Sequence, residues 1–221
     1  MPIAFLHTSP VHVPTFTSLL RELAPNERAS HTVDESLLVE ARRLGASETS
    51  VIHSVQEAMR MTAAQNSADV VVCTCSTIGG IAETMDHGNR FIPMRVDRAM
   101  ADAAVTGGAS ILVVAALEST LAQTSALIED SARRQERHVG VSLVSIPEAW
   151  GHFEAGDVQA YIAAIASGVK GSLNGHDVVV LAQASMAQAA ELLANLGVPV
   201  LCSPRLGVQA AIQAHASRGA A

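Results

Sequence analysis

The chain carries one stretch twice. Ala68 to Met85 (ADVVVCTCSTIGGIAETM) lies over His176 to Leu193 (HDVVVLAQASMAQAAELL) so that Asp69 meets Asp177, Val70 to Val72 meet Val178 to Val180, and Glu83 meets Glu191, an offset of 108 residues. The same offset sets Ile3 to Thr8 (IAFLHT) over Ile111 to Ala116 (ILVVAA), and Leu19 and Leu20 over Leu127 and Ile128. Self-similarity at a fixed spacing limits the fold more than any local signal, because both copies must form the same supersecondary unit. Within each copy, a short run of β-branched residues leads into small polar residues and a helical pattern. This reads as a buried parallel strand feeding a helix.

The rest of the chain alternates in the same way. Ile3 to Ser9 reads as a strand and Phe16 to Leu23 as a helix, separated by a turn fenced by Pro10 and Pro14. A strand at His31 to Asp34, a helix to Leu44 capped by Asp34 or Glu35, and an amphipathic helix over Ser47 to Ala64 follow. After the Cys75 strand, Phe91 to Val96 is a strand and Arg98 to Val105 a helix ending at Gly107-Gly108. The second copy repeats the order: strand Ile111 to Leu117, helix Ser119 to Arg134, strand Val139 to Ile146, helix Val158 to Lys170, strand Val178 to Gln183, helix Met186 to Leu196, strand Val198 to Cys202. Pro147 to Asp157, with the only Trp, is expected to be a loop over the site, and the tail from His215 is expected to fray. Such alternation predicts an α/β fold of two similar parallel-sheet lobes, residues 1–97 and 98–202, with 203–221 packing back on the first. A pseudo-twofold axis between the lobes would bring the ends of both VVV strands to a shared cleft.

A net charge of −7 and the absence of any basic run argue against nucleic acid as a partner. The longest apolar runs, such as ILVVAAL, are far shorter than a membrane span, and MPIAFLHTSP lacks the charged start of a signal peptide. Three cysteines, two of them in Cys73-Thr74-Cys75, suit a reducing compartment better than a disulfide framework, so a cytoplasmic protein is expected. Cys-x-Cys without a second cysteine pair is a weak metal signature, and Gly79-Gly80 lacks the spacing of a nucleotide fingerprint, so neither a metal nor another cofactor is expected.

Cys75 is the leading candidate for chemistry. It ends a strand where open α/β sheets bind ligands, directly before a helix whose N-terminus would favour a thiolate. Under the 108-residue offset its counterpart is Gln183, and Ser76-Thr77 face Ala184-Ser185. Backbone and hydroxyl donors of Ser76, Thr77, Ala184 and Ser185 would suit a carboxylate. His7, Thr8 and Ser9 form a polar triplet at another strand end, a binding-loop candidate. Cys73 and Cys202 read as packing residues. Arg98 and Arg205 follow strands and read as solvated, although either could attract a carboxylate. Asp69 and Asp177 serve turns, and His12, His31, His53, His87, His138, His176 and His215 read as solvated or locally bonded.

These residues resemble the aspartate/glutamate/hydantoin racemase superfamily, which also includes maleate isomerases and arylmalonate decarboxylases. The resemblance rests on the two-copy plan, on Cys75-Ser76-Thr77 leaving a VVV strand, and on LAQASM in the second copy, where Gln183 stands in place of a second cysteine. It implies two α/β lobes with the site between them, a cofactor-independent isomerase acting beside the carboxylate of a small acid, and a homo-oligomer. Cys75 would be base or nucleophile. In two-cysteine members one thiolate removes a proton and the opposite thiol returns one on the other face. A Gln amide cannot do this near neutral pH. Three readings follow: a racemase whose second acid is His152, Glu148, Glu154 or His7; a single-thiol decarboxylase or cis-trans isomerase; and a non-catalytic carboxylate-binding protein.

Overall fold

The computed structural model describes residues 2–88 and 90–219. Eight strands and ten α-helices alternate along them: β1 Ile3–His7, α1 Val13–Leu23, β2 Ala29–Val33, α2 Ser36–Leu44, α3 Thr49–Asn66, β3 Val70–Cys73, α4 Ser76–Thr84, β4 Ile92–Arg95, α5 Arg98–Gly107, β5 Ser110–Ala115, α6 Glu118–Arg134, β6 Gly140–Ser145, α7 Pro147–Glu154, α8 Val158–Ser172, β7 Val178–Leu181, α9 Ala189–Leu192, β8 Val200–Cys202 and α10 Ser203–Gly219. They fall into two compact units, one running to Asp97 and rejoined from Pro204 onward, the other Arg98–Ser203.

Each unit holds one four-stranded parallel sheet, in the orders β2-β1-β3-β4 and β6-β5-β7-β8. The repeat is visible in the register: Ile3 pairs with Val70 in the first sheet, and Ile111 pairs with Val178 in the second. Both sheets are α/β layers covered by helices, as the strand-helix alternation predicts. The central strands β1, β3 and β7 are buried along their whole length, which is why they read as unbroken apolar runs and not as alternating ones.

Alternation along β1 divides the first unit into two faces. Ala4 and Leu6 pack with Val71, Cys73, Val55 and Met59 under α3 and α4. Phe5 points the other way, onto Phe16 of α1, with ring centroids 5.2 Å apart. In the second unit Leu112, Val114, Val179 and Leu181 meet Ile165 and Val169 of α8.

Two devices lock the strand entries. Asp177 receives the amides of Ala109 and Ser110 at 2.9 and 2.8 Å, and a Cβ on Gly108 would collide with the Asp177 side chain. Asp69 lies 3.6 Å from Arg218 of α10.

Three expectations need correction, and of the two cap candidates at α2 one holds. Pro147 to Glu154 is not a loop but α7, started by Pro147 at its first position and tied by a Trp150 to Glu154 hydrogen bond of 2.6 Å one turn on. Met186 to Leu196 is not one helix: a 3₁₀ turn at Ala184–Met186 and the short α9 replace it. The tail from His215 continues α10, with His215 Nε2 3.4 Å from Glu27. At α2, Asp34 accepts the Ser36 amide at 3.1 Å, while Glu35 makes no side-chain cap.

Candidate active site

The β3 ladder ends at Cys73, and the chain then turns through Thr74 and Cys75 into α4, with Cys75 in extended backbone at the helix N-cap. An N-cap side chain sits among the first amides of its helix, which have no partner inside it. The Thr77 and Ile78 amides accordingly lie close enough to favour a Cys75 thiolate, although no bond of full capping geometry forms. The Thr8 hydroxyl, from the end of β1, favours the same thiolate as a donor.

Burial opposes these three donors and outweighs them, with the Asp97 carboxylate adding to it, so the Cys75 pKa lies above the ordinary thiol value. The helix terminus therefore does not bring the thiol to neutrality in the unliganded chain, as the sequence suggests it should. Cys75 rests protonated and partly exposed. Cys73 is fully buried, donates to the Cys75 carbonyl at 3.7 Å, and has its pKa pushed up by burial, which makes it inert packing.

Arg95 and Asp97, overlooked in the sequence, build the floor beneath α4. The guanidinium forks onto the carboxylate at 2.7 and 3.1 Å and reaches the Ser76 carbonyl at 3.5 Å. Both side chains are under a tenth exposed. Arg95 lies across Gly79 and Gly80: a Cβ on Gly79 would sit 3.0 Å from Arg95 Cβ and 3.3 Å from its Nε. The glycine pair is the signal that could have revealed this close approach.

His7 is buried completely, and both ring nitrogens are engaged inside the unit. Nδ1 is 2.8 Å from Thr74 Oγ1 and Nε2 is 2.9 Å from His31 Nδ1. The ring therefore offers a ligand no nitrogen, and the sequence expectation of ligand contact, or of service as a second acid, does not fit its position. Burial, with His31 and His12 nearby, lowers its pKa to about 3. His12 and His31, read from the sequence as solvated or locally bonded, belong to this partly buried cluster and are lowered by burial too, His12 to about 4.

Ser9 precedes a 3₁₀ turn at Pro10–His12 and makes no side-chain cap. Ser76 and Thr77 are both buried at the start of α4. In the second unit Gln183 precedes the Ala184–Met186 turn as Cys75 precedes α4, and its Oε1 accepts the Ala116 amide at 2.7 Å. Position 116 is the repeat counterpart of Thr8, so the two units share a contact made by different groups. Ala184 is buried, and the Ser185 hydroxyl is 2.7 Å from the hydroxyl of Tyr161. Arg98 and Arg205 are committed elsewhere, to Asp130 at 2.9 Å and to Glu22 at 2.9 Å. Among the described residues no three His, Cys, Asp or Glu side chains are grouped to hold a metal ion, and no helix is long and apolar enough to cross a membrane.

No family model and no curated protein matches the chain by sequence. Solved structures do match. An aspartate racemase from Picrophilus torridus aligns over 98% of this chain and 95% of its own, at 15% identity and a TM-score of 0.71. A glutamate racemase from Bacillus anthracis aligns over 99% and 82%, at 16% identity and 0.74. An allantoin racemase from Pseudomonas fluorescens aligns over 99% and 92%, at 17% identity and 0.60. The chain has the fold that these racemases share. At these identities the likeness establishes the fold and leaves activity to the site.

Proposed function

We propose that the protein is a cofactor-independent, racemase-like isomerase that acts at the carbon beside the carboxylate of a small acid, with Cys75 as thiolate base or nucleophile. The observation that carries this reading is the placement of a partly exposed thiol, Cys75, at the N-cap of α4, in extended backbone just past the end of β3 and beside the first amides of the helix. Amides at a helix N-terminus suit a carboxylate as well as a thiolate. A substrate carboxylate docked there, with Ser9 and the Ser76-Thr77 backbone as further donors, would replace water around the thiol. Ala184 and Ser185 hold the repeat-equivalent positions within the second unit. A free-thiol site of this kind belongs in a reducing compartment such as the cytoplasm.

A single-thiol variant of the reading, decarboxylation or cis-trans isomerisation of a small dicarboxylate, is favoured by Gln183. Its carbonyl oxygen accepts the Ala116 amide, and an amide side chain cannot supply or take a proton in a reaction cycle near neutral pH.

The test is proton NMR in D₂O with aspartate, glutamate, 5-substituted hydantoins, maleate and an arylmalonate, each beside Cys75→Ala. Deuterium entering the α position in both enantiomers supports racemisation, and loss of CO₂ or conversion of maleate to fumarate supports the single-thiol variant. No turnover of any acid, with saturable binding that Cys75→Ala leaves intact, would make this a carboxylate-binding protein.

A further inference from the structure

On the α1 face of the first sheet, side chains from β1, β2, α1 and the turn after β3 form a continuous hydrogen-bonded chain. It runs from the Leu6 carbonyl to Thr74 Oγ1 (3.1 Å), to His7 Nδ1 (2.8 Å), from His7 Nε2 to His31 Nδ1 (2.9 Å), from His31 Nε2 to Thr17 Oγ1 (2.8 Å), and to the Val13 carbonyl (2.8 Å). Phe5 stacks against both imidazoles, 6.1 and 5.4 Å between centroids, and Phe16 and His12 close on His7 at 5.4 and 6.3 Å. The chain flanks the candidate thiol on both strands: His7 precedes Thr8, and Thr74 precedes Cys75.

The repeat supplies an internal control. The same offset that carries Ile3 to Ile111 carries His7 to Ala115 and Thr74 to Ala182, and the strand register that pairs Phe5 with His31 pairs Val113 with Leu143. The second unit thus builds the same sheet with Ala, Ala and Leu where the first has His, Thr and His. The fold does not require the chain, which occurs in the unit that has the thiol.

Its proton count is informative. Five links join the two carbonyls, whereas two neutral imidazoles and two hydroxyls hold four protons. One link must go without. The gap is least costly at an end, because the Leu6 carbonyl already accepts the Thr74 amide at 3.0 Å and the Val13 carbonyl lies in a helix. Both rings must then carry their proton on the same nitrogen, both on Nε2 or both on Nδ1.

We propose that His7, His31, Thr74 and Thr17 are positioning residues for the Thr8–Cys75 pair: the chain holds the ends of β1 and β3 at one spacing, and so keeps Thr8 beside Cys75 in the register that pairs Leu6 with Cys73. This rests on the reading of Cys75 as the reactive group, but not on any substrate. The titratable and charged groups beside Cys75 are Asp97 and Cys73, and those beside His7 are His31 and His12.

The experiment is the pH profile of Cys75 alkylation by iodoacetamide, read by peptide mass spectrometry, in the wild type, His31→Leu and His31→Gln, with ¹⁵N NMR of the imidazoles. His31→Leu is expected to slow alkylation at pH 8 by about three- to tenfold, equal to an upward shift of about half to one pKa unit. His31→Gln, which can still donate and accept, is expected to restore most of the rate, and the two wild-type rings are expected to share one tautomer. An unchanged profile in folded His31→Leu, equal slowing in Leu and Gln, or opposite tautomers would overturn the proposal. Should His31→Leu fail to fold, Thr17→Val at the end of the chain takes its place, and an unchanged rate there would overturn it equally. Absence of turnover with every acid would defeat the functional reading and leave this result standing.

Discussion

Replacing Thr8 by Val removes one hydroxyl from the Cys75 sulfur and little else, since Thr8 is 7% exposed and Val has the same branched shape. The bond is donated to the sulfur and favours the charged form, so it lowers the pKa, and its loss raises it. A hydrogen bond to a charged group contributes roughly 1.5–3 kcal/mol, and sulfur as acceptor belongs at the lower end. At about 1.4 kcal/mol per unit this moves the Cys75 pKa up by about one unit. Below the midpoint the thiolate fraction, and with it the alkylation rate, falls about tenfold. The assay is iodoacetamide trapping from pH 7 to 10, with peptide mass spectrometry to read Cys75 apart from Cys73 and Cys202. Thr8→Ser keeps the hydroxyl and is expected to stay near the wild-type profile. An unmoved midpoint in Thr8→Val, or an equal shift in Thr8→Ser, would refute the reasoning.

Asp97→Asn acts with the opposite sign on the thiol: removing the carboxylate charge is expected to lower the Cys75 pKa in the same trapping assay, while urea unfolding reports a loss of about 3 kcal/mol because Arg95 is left buried without its counter-charge. Gly108→Ala drives a Cβ into Asp177 and is expected to cost about 2 kcal/mol in the same unfolding measurement, whereas Gly151→Ala, within α7 and with nothing near its added Cβ, is expected to be neutral or slightly stabilising. The folded-state pKa of His7 lies at about 3, below its ordinary 6.5, so the unfolded chain takes up the proton first. Its stability contribution is complete above pH 6.5 and is lost as pH falls toward 3, at up to about 1.4 kcal/mol per pH unit; His7→Leu is expected to flatten that acid limb in pH-dependent denaturation curves.

The parts of the fold that could be read from sequence are those written in apolar runs. Val70 to Val72 and Val178 to Val180 had to be buried strands, and one offset gave the matching registers of both sheets. The site was legible where chemistry and chain position coincide: Cys75 follows a strand and precedes a helix, and those neighbours alone place it among α4 amides. What sequence did not convey was long-range pairing. His31 meets His7 across 24 residues and Thr17 meets His31 across 14, and nothing local marks them as partners. Period-two alternation does carry part of the answer, since it sets His7 on the Phe5 face and Thr8 on the other, and reading the triplet His7-Thr8-Ser9 as one binding loop passed over it. Gly79-Gly80 served only to exclude a nucleotide fingerprint, although its cause is Arg95 lying against the helix. The lid expected at Pro147 to Asp157 is a helix, because Trp150 and Phe153 stack on each other at 4.8 Å and Phe153 meets Tyr161 at 5.4 Å.

The central claim is that a carboxylate docks beside the Cys75 sulfur. Its most direct test compares alkylation of Cys75 by iodoacetate and by iodoacetamide, which deliver nearly the same carbon with and without a carboxylate. A small free thiol sets the reference ratio. The account predicts that Cys75 favours iodoacetate relative to that reference, and that millimolar aspartate, glutamate or maleate suppresses the preference. A ratio equal to that of the free thiol, unaffected by any of these acids, would contradict it.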